Sequence, residues 1–154
     1  MKEEHIQDAP HGNAQQRLSY DGAIYAGVAL TLSGAVILAK RIEICPFSKK
    51  APAFAGYWSV FCGAIEKGES ALEAAVREVE EETQLIIDKN KALFLGRVRD
   101  LALFRYELDE YKSIELDYEH TEYGYFKISE IHVSPDPVDE EISRIIQHNH
   151  FISS

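Results

Sequence analysis

The chain has little cysteine, a deficit of cationic residues and no long apolar run. Its two cysteines, Cys45 and Cys62, are too few to form the disulfide framework of a small secreted protein. No stretch reaches the roughly 18 apolar residues that a transmembrane helix needs. Residues 1–13 are polar and lack the apolar region of a signal peptide. We therefore expect a cytoplasmic protein with reduced thiols and no membrane partner.

The charge balance disfavours two classes of partner. The sequence has 16 Lys and Arg residues against 26 Asp and Glu residues, which gives a net charge of −10. Broad binding to nucleic acid or to an anionic membrane needs a basic face, so both are disfavoured. A phosphate ligand would also be repelled unless cations lay between it and the protein. The composition thus favours metal ions as the bridge to a phosphate-bearing ligand.

The length of 154 residues and the hydrophobic fraction of 45% are typical of one globular domain. We interpret residues 1–20 as a loose arm or a peripheral strand and residues 21–154 as the single domain. Apolar, β-favouring runs between turn residues predict strands at 23–32, 35–39, 57–61, 92–98, 101–108, 115–118 and 123–128. Strands on both sides of a central helix, followed by a terminal helix, favour an α/β fold with a mixed sheet between helices.

Three local features refine this outline. A long loop is expected at 42–57, and loops of that length are often functional. Gly124 in the last predicted strand is a candidate β-bulge. The C-terminal helix is expected to begin with Asp136 as its N-cap and Pro137 at its first position, with acidic residues in its first turn.

Residues 63–85, GAIEKGESALEAAVREVEEETQL, concentrate acidic side chains. Ser70 and Glu73 have the spacing of a capping box, which places the start of a helix just after Glu69. At about 100° per residue, Glu81 and Glu82 lie at about −60° and 40° from Glu78. Three carboxylates therefore share one side of this helix, while an apolar stripe on a different arc faces the core.

Like charges within one helical turn repel each other, and they lie here near the C-terminal end of the helix, where the helix dipole disfavours anions. Hard divalent cations such as Mg²⁺ or Mn²⁺ bind carboxylate oxygens and remove this repulsion. Arg77 lies four residues before Glu81 and is placed to orient it, with Glu69 as a second partner. The alternative is an ordinary solvated acidic face. Glu73 and Glu80 are expected to be solvated in either case.

The spacing of these residues resembles the Nudix box, in which a glycine and a glutamate precede an Arg-Glu pair and a Glu-Glu pair. The matching residues are Gly63, Glu69, Arg77, Glu78, Glu81 and Glu82. The chain departs from the pattern at Gln84, where the box has its last glycine. That position ends the helix in a left-handed conformation, which a residue other than glycine adopts at a cost of about 1 kcal/mol.

The resemblance implies a MutT-like Nudix hydrolase with an α/β/α sandwich fold. It implies hydrolysis of a nucleoside diphosphate linked to another group, with Mg²⁺ or Mn²⁺ as cofactor and a small nucleotide as substrate. Glu78, Glu81 and Glu82 would be the metal ligands, joined by the Gly63 carbonyl. The general base in this family is either a glutamate of the box or a carboxylate on a later loop, and Glu119 and Glu122 are the candidates here.

Three residues outside the box are candidates for substrate binding. Arg41 is placed to meet a phosphate, with solubility as the alternative. Tyr57 and Trp58 are candidates to stack on a base, with core packing as the alternative. Period-two alternation directs Tyr57 and Phe61 to one side of their strand and Trp58 and Val60 to the other.

Two other functions compete with small-nucleotide hydrolysis. One is a Nudix-fold module that senses a nucleotide without cleaving it, although the complete set of box glutamates argues against this. The other is processing of RNA 5′ ends, for which the net charge is unfavourable and only local patches near 49–50 and 97–99 are basic. A homodimer is retained as a possibility.

Overall fold

The computed structural model describes residues 22–153, and within this range the chain forms a sheet with helices on both faces. The prediction for residues 1–20 lies outside the described residues. The strands are β1 (Tyr25–Leu32), β2 (Ala35–Arg41), β3 (Trp58–Ser59), β4 (Phe61–Ala64), β5 (Leu93–Val98), β6 (Leu101–Glu107) and β7 (His120–Lys127). The helices are α1 (Ala71–Thr83) and α2 (Glu140–Ser153), with short 3₁₀ segments at Lys89–Lys91 and Ile128–Val133.

The sheet is mixed because its central strand β1 has both kinds of partner. β1 pairs antiparallel with β2 and β4 and parallel with β6. The β1–β2 hairpin is paired only near its turn, and farther along β3 pairs with β2 while β4 pairs with β1. β7 pairs with β2 and β5 with β6, so these two strands lie on opposite sides of the sheet.

Alternating side chains give each face of the sheet its own core. Val28 and Leu30 of β1 pack in the cluster that contains the apolar side of α1. Ala29 between them packs in the second cluster, which includes Ile142 and Ile146 of α2. This arrangement confirms the predicted α/β/α sandwich. None of the helices within residues 22–153 is long and apolar enough to cross a membrane.

The predicted strand at 57–61 is two short strands, β3 and β4, which pair with different neighbours. The predicted alternation of side chains between the two faces is nevertheless confirmed for the residues that pack in a core. Trp58 and Val60 pack in the cluster of α2, whereas Phe61 packs in the cluster of α1. The strand therefore contributes to both cores before the chain enters the acidic segment.

Both ends of α1 follow the sequence prediction. The Ser70 hydroxyl accepts a hydrogen bond from the Glu73 amide at 3.0 Å, and the Glu73 carboxylate accepts one from the Ser70 amide at 3.1 Å. At the other end Gln84 is left-handed, with φ of 67°, and its amide donates to the Glu80 carbonyl at 2.9 Å. The capping box and the left-handed helix end are thus confirmed.

The predicted start of the C-terminal helix is wrong. The helix begins at Glu140, and the carboxylate at its start is that of Asp139, which accepts a hydrogen bond from the Ile142 amide at 3.3 Å. Residues 137–139 are held extended because Trp58 donates its amide to the Pro137 carbonyl and accepts from the Asp139 amide. This pairing with β3 keeps Asp136 and Pro137 out of the helix.

Two predictions near β7 are also wrong. Residues 115–118 are not a strand, because the Glu115 amide donates to the Thr83 carbonyl at the end of α1 instead of pairing in the sheet. Gly124 is not a bulge and pairs in regular register with Leu38. The irregularities in register fall between Lys40 and Arg41 and within residues 94–96.

We predict that Gln84→Gly stabilises the protein. Glycine adopts the left-handed conformation without the steric cost that glutamine carries, and part of this gain is offset by its greater freedom in the unfolded chain. The free energy of unfolding, measured by urea denaturation, is expected to rise by about 0.5–1 kcal/mol. Gln84→Ala keeps the left-handed strain and serves as the control. A Gly variant no more stable than the Ala variant would contradict the prediction.

Candidate active site

A cavity of about 620 Å³ opens at the end of the sheet where β1 begins and β2 and β4 end. Glu78 and Glu81 of α1 line it together with Gly63 and Ala64 of β4. The loop before β7 contributes to one flank and the β5–β6 hairpin to the other, because β7 pairs with β2 and β6 pairs with β1. The cavity therefore brings the acidic helix together with parts of the chain that are distant in sequence.

Glu82 lies at the back of this site and is only 1% exposed. Among the described residues, its two carboxylate oxygens are the buried side-chain atoms that have no hydrogen-bond partner. Burial is the main reason that the pKa of Glu82 is raised to about 10, and the neighbouring charges of Glu78, Asp117 and Glu119 contribute to this rise. An ionised carboxylate at this position requires a compensating cation.

Asp117 and Glu119 complete an acidic cluster with Glu82. One carboxylate oxygen from each of the three residues lies within 4.8 Å of the other two. The Ile42 amide donates to the Glu119 carbonyl at 2.8 Å, and the Asp117 carboxylate contacts His120 Nδ1 at 2.9 Å. Because His120 is buried against the Phe61 ring, these contacts fix the loop beside α1.

The two loop candidates for the general base are placed differently. Glu119 lines the cavity and belongs to the acidic cluster. Glu122 is exposed on β7, opposite Lys40, and is not part of the cavity lining. Asp117 did not appear among the sequence candidates, and its only signal was its position two residues before Glu119.

Gly63 allows the closest approach between β4 and α1. A Cβ atom at this position would overlap the Glu78 carboxylate. Glu78 is itself 9% exposed, and burial raises its pKa, while the Arg77 hydrogen bond acts in the opposite direction. The glycine is therefore needed here because it leaves room for a carboxylate.

Arg77 holds the remaining carboxylates of the box. Its guanidinium binds Glu69 through two hydrogen bonds of 2.6 and 2.9 Å, and it donates to Glu78 at 2.9 Å and to Glu81 at 3.2 Å. It also donates to the Ala64 carbonyl at 3.0 Å, which joins α1 to β4. The hydrogen bond from Arg77 lowers the pKa of Glu69. Arg77 thus neutralises and orients one group of carboxylates and makes no hydrogen bond to Glu82.

The substrate-binding candidates are not all in the cavity. Arg41 at the end of β2 lines it. Trp58 is only 7% exposed and packs against the Phe126 ring at 5.2 Å, so it is a core residue of the α2 face. Tyr57 is 43% exposed outside the cavity lining and contacts the ring of Phe54, which does line the cavity.

The flank formed by the β5–β6 hairpin was not predicted from the sequence. Arg99 binds the buried Asp139 carboxylate at 2.7 Å and Glu141 at 2.6 Å. Its guanidinium also lies 4.8 Å from the centre of the Phe54 ring. These contacts join the hairpin, the start of α2 and the long loop, and they form the cavity wall away from Asp117 and Glu119.

Both cysteines are unpaired, as their number in the sequence suggested. Cys62 lines the cavity next to Gly63. Burial, together with the negative charge of Glu82, raises the pKa of its thiol to about 12. The thiolate is therefore strongly disfavoured, and Cys62 is unsuited to act as a nucleophile.

The donor set fits a divalent cation. It consists of carboxylate oxygens, which are the ligands that Mg²⁺ and Mn²⁺ prefer. The unpartnered oxygens of Glu82 and their position beside Asp117 and Glu119 supply the specific observation. A cation there would provide compensation beyond that of Arg41, whose charge lowers the pKa of Glu82 but is outweighed by burial and the acidic neighbours.

Comparisons with known proteins give the same result at the level of family and fold. The family profile described as the NUDIX domain matches residues 23–149. A MutT protein from Methanosarcina mazei is 18% identical and aligns over 86% of this chain and 95% of its own, with a TM-score of 0.66. The dihydroneopterin triphosphate pyrophosphohydrolase of E. coli is 17% identical over 86% of this chain and 97% of its own, with a TM-score of 0.59.

An Ap4A hydrolase from C. elegans, solved as a binary complex, is 16% identical over 84% of this chain and 96% of its own, with a TM-score of 0.52. At such identities the structural likeness establishes a shared fold. The family match extends over most of the chain and includes the residues of the acidic helix. The chain therefore belongs to the Nudix family of phosphoanhydride hydrolases.

Proposed function

We propose that this protein is a metal-dependent pyrophosphohydrolase that cleaves the diphosphate linkage of a small nucleotide. The observation that carries the proposal is the buried, unpartnered Glu82 carboxylate beside Asp117 and Glu119 at the edge of the cavity. Two proteins of similar fold are named for activity on dihydroneopterin triphosphate and on Ap4A, which supports a phosphoanhydride substrate. Cytoplasmic location and a homodimer stay predictions from the sequence.

The residues that would hold Mg²⁺ or Mn²⁺ are carboxylates from two parts of the chain, with one backbone carbonyl. They are Glu78, Glu81 and Glu82 of α1, Asp117 of the loop, and the carbonyl of Gly63. When bound, the metal supplies neutralisation of phosphate charge and a lowered pKa for a coordinated water. We include the Asp117 side chain because one of its oxygens lies within 4.8 Å of carboxylate oxygens of Glu82 and Glu119.

The other residues of the site act on the substrate and on the attacking water. Arg77 fixes Glu78 and Glu81 through its hydrogen bonds, so their oxygens are oriented before a ligand arrives. Arg41 offers a cation in the cavity for a phosphate oxygen. Glu119 is the general base of the proposal, and its carboxylate accepts the proton of the water that attacks phosphorus. The burial of Glu82 keeps bulk water from its oxygens.

The first prediction from the proposed function concerns the stability of the metal-free protein. The pKa of Glu82 is raised from the ordinary glutamate value of 4.5, which applies to the unfolded chain, to about 10 in the folded protein. Folding therefore favours the protonated carboxyl. The metal-free protein should lose stability as pH rises between these values, and Glu82→Gln should remove this loss. Urea unfolding in EDTA should show the variant more stable than wild type near pH 8, with a smaller difference near pH 5.

Glu80→Gln is the matched control, since Glu80 is exposed on the same helix. Its pH profile should follow that of wild type. Adding Mg²⁺ or Mn²⁺ should stabilise wild type and leave Glu82→Gln unchanged. Parallel pH profiles for wild type and Glu82→Gln would contradict the assignment of a buried, uncompensated carboxyl group with a raised pKa.

The second prediction concerns turnover. Purified protein is assayed with each metal against nucleoside triphosphates, oxidised dGTP, ADP-ribose, nucleotide sugars and dinucleoside polyphosphates. Glu81→Gln and Glu82→Gln should each lower kcat/KM by at least about 100-fold. Mutation of a residue that only orients a metal ligand typically lowers activity by about 10–100-fold, and loss of the ligand itself should cost more. Glu80→Gln should retain activity. Full activity in the first two variants, or no hydrolysis of any substrate with either metal, would overturn the proposed function.

The third prediction separates the two loop candidates. Glu119→Gln should lower kcat strongly and should flatten the acidic limb of the pH–rate profile, because it removes the proton acceptor. Glu122→Gln should behave as wild type, since its side chain is exposed on β7 away from the cavity lining. Equal effects of the two substitutions would show that the base is not Glu119.

A further inference from the structure

His120 is a buried polar side chain to which the proposed function gives no part. Its side chain is only 2% exposed, and its ring packs edge-on against Phe61, with 5.6 Å between the ring centres. Burial of an imidazole is unfavourable unless its polar atoms have hydrogen-bond partners. An apolar side chain would fill the same space without this cost, so packing alone does not explain the histidine.

The hydrogen-bond partner of His120 is Asp117. His120 Nδ1 lies 2.9 Å from Asp117 Oδ1. An ionised carboxylate only accepts hydrogen bonds, so the imidazole is the donor through its Nδ1–H. The Glu119 amide donates to the same carboxylate oxygen at 3.3 Å, and the His120 amide donates to the Asp117 carbonyl at 3.3 Å. These contacts together restrict the rotation of the Asp117 side chain.

An irregularity in β7 immediately follows His120. Lys40 of β2 pairs with Glu122. The next residue of β2, Arg41, pairs with His120. Thr121 is therefore an extra residue of β7, as in a β-bulge. Such a bulge changes the direction of the side chains next to it.

The bulge changes the face of the sheet on which His120 lies. Tyr123 packs with the cluster of α1, and Phe126 packs with the cluster of α2. Strict alternation along β7 would place His120 on the same face as Phe126. His120 instead contacts Phe61, a member of the α1 cluster. The bulge therefore brings the imidazole to the face that carries Glu82, which agrees with the frequent use of bulges to redirect side chains next to active sites.

Asp117 needs a donor that holds it because its acidic neighbours repel it. One of its carboxylate oxygens lies within 4.8 Å of oxygens from Glu82 and Glu119. Residues 108–117 form neither helix nor strand, so no regular backbone pairing fixes this position. The side chain is already 20% exposed, and repulsion would turn it farther toward solvent. The hydrogen bond from His120 opposes this movement.

We propose that His120 is a positioning residue of the metal site, which holds Asp117 beside Glu82 through the Nδ1–H···Oδ1 hydrogen bond. The proposal rests on the proposed function, because it takes Asp117 to be a ligand of Mg²⁺ or Mn²⁺. His120 acts through Asp117 and is not among the three residues whose ligand atoms come together. Residues that orient a metal ligand in this way typically change metal affinity by about 10–100-fold when they are replaced.

Titration of Mn²⁺ into the metal-free protein tests the proposal, with the free ion measured by EPR. His120→Leu keeps an apolar side chain against Phe61 and removes the donor, so it should weaken Mn²⁺ binding by about 10–100-fold. His120→Asn loses the ring but offers an amide N–H close to the position of Nδ1, so it should bind Mn²⁺ about as tightly as wild type. His148→Leu is the matched control, since His148 is exposed on α2 at the other face of the sheet.

A double-mutant cycle separates positioning from a general effect on the fold. Asp117→Ala removes the ligand through which His120 acts and leaves the glutamates of α1 in place. In that background His120→Leu should have no further effect on Mn²⁺ affinity. Additive effects in the cycle, equal weakening by His120→Leu and His120→Asn, or wild-type affinity in His120→Leu would each overturn the proposal.

A measurement on the metal-free wild-type protein does not depend on whether the variants fold. The ring nitrogens of His120 and their bound protons are observed by NMR in ¹⁵N-labelled protein. We expect a slowly exchanging proton on Nδ1, because that atom donates to a carboxylate in a buried position. A ring that carries its proton on Nε2 and none on Nδ1 would overturn the proposal.

These results distinguish a failure of the proposal from a failure of the proposed function. If wild type binds Mn²⁺ and hydrolyses nucleotides while His120→Leu binds the ion equally well, the proposal is wrong and the proposed function stands. If His120→Leu weakens Mn²⁺ binding as expected but wild type hydrolyses no nucleotide, the positioning role stands and the proposed function is rejected. A folded wild-type protein that binds no Mn²⁺ would overturn both.

Discussion

The structure of the site depends on one carboxylate that the protein leaves without a partner. Glu82 is buried at the end of α1, its oxygens accept no hydrogen bond from the described residues, and burial raises its pKa. Ionising such a group in a low-dielectric environment is unfavourable unless a cation compensates it. Two further features bring charge to the same place: Gly63 makes room for Glu78, and a fixed loop carries Asp117 and Glu119. A protein selected only for stability would not bring these carboxylates together.

The acidic residues of α1 are divided by how their charge is compensated. Arg77 neutralises Glu69 and hydrogen-bonds Glu78 and Glu81, so this group is stable within the protein alone. Glu82 has no bond to Arg77 and lies beside Asp117 and Glu119, where three carboxylates meet. The first group explains why the helix folds despite its repulsive charges, and the second explains why it would bind a cation. One arginine therefore allows both properties in a single helix.

The features that depend on local residue spacing were predicted from the sequence, whereas those that depend on pairing between distant strands were not. Helix period and the capping box placed Glu78, Glu81, Glu82 and Ser70 correctly, because these positions depend on residues within a few turns. The role of Asp139 depends on its pairing with Trp58, which lies far away in sequence, so Asp136 was the better local candidate for the cap. Asp117 and Phe54 were missed for the same reason, because each reaches the site through contacts between distant segments and neither has a distinctive local pattern. Arg99 was noted in a local basic patch, but its contacts with Asp139 and Phe54 were not predicted.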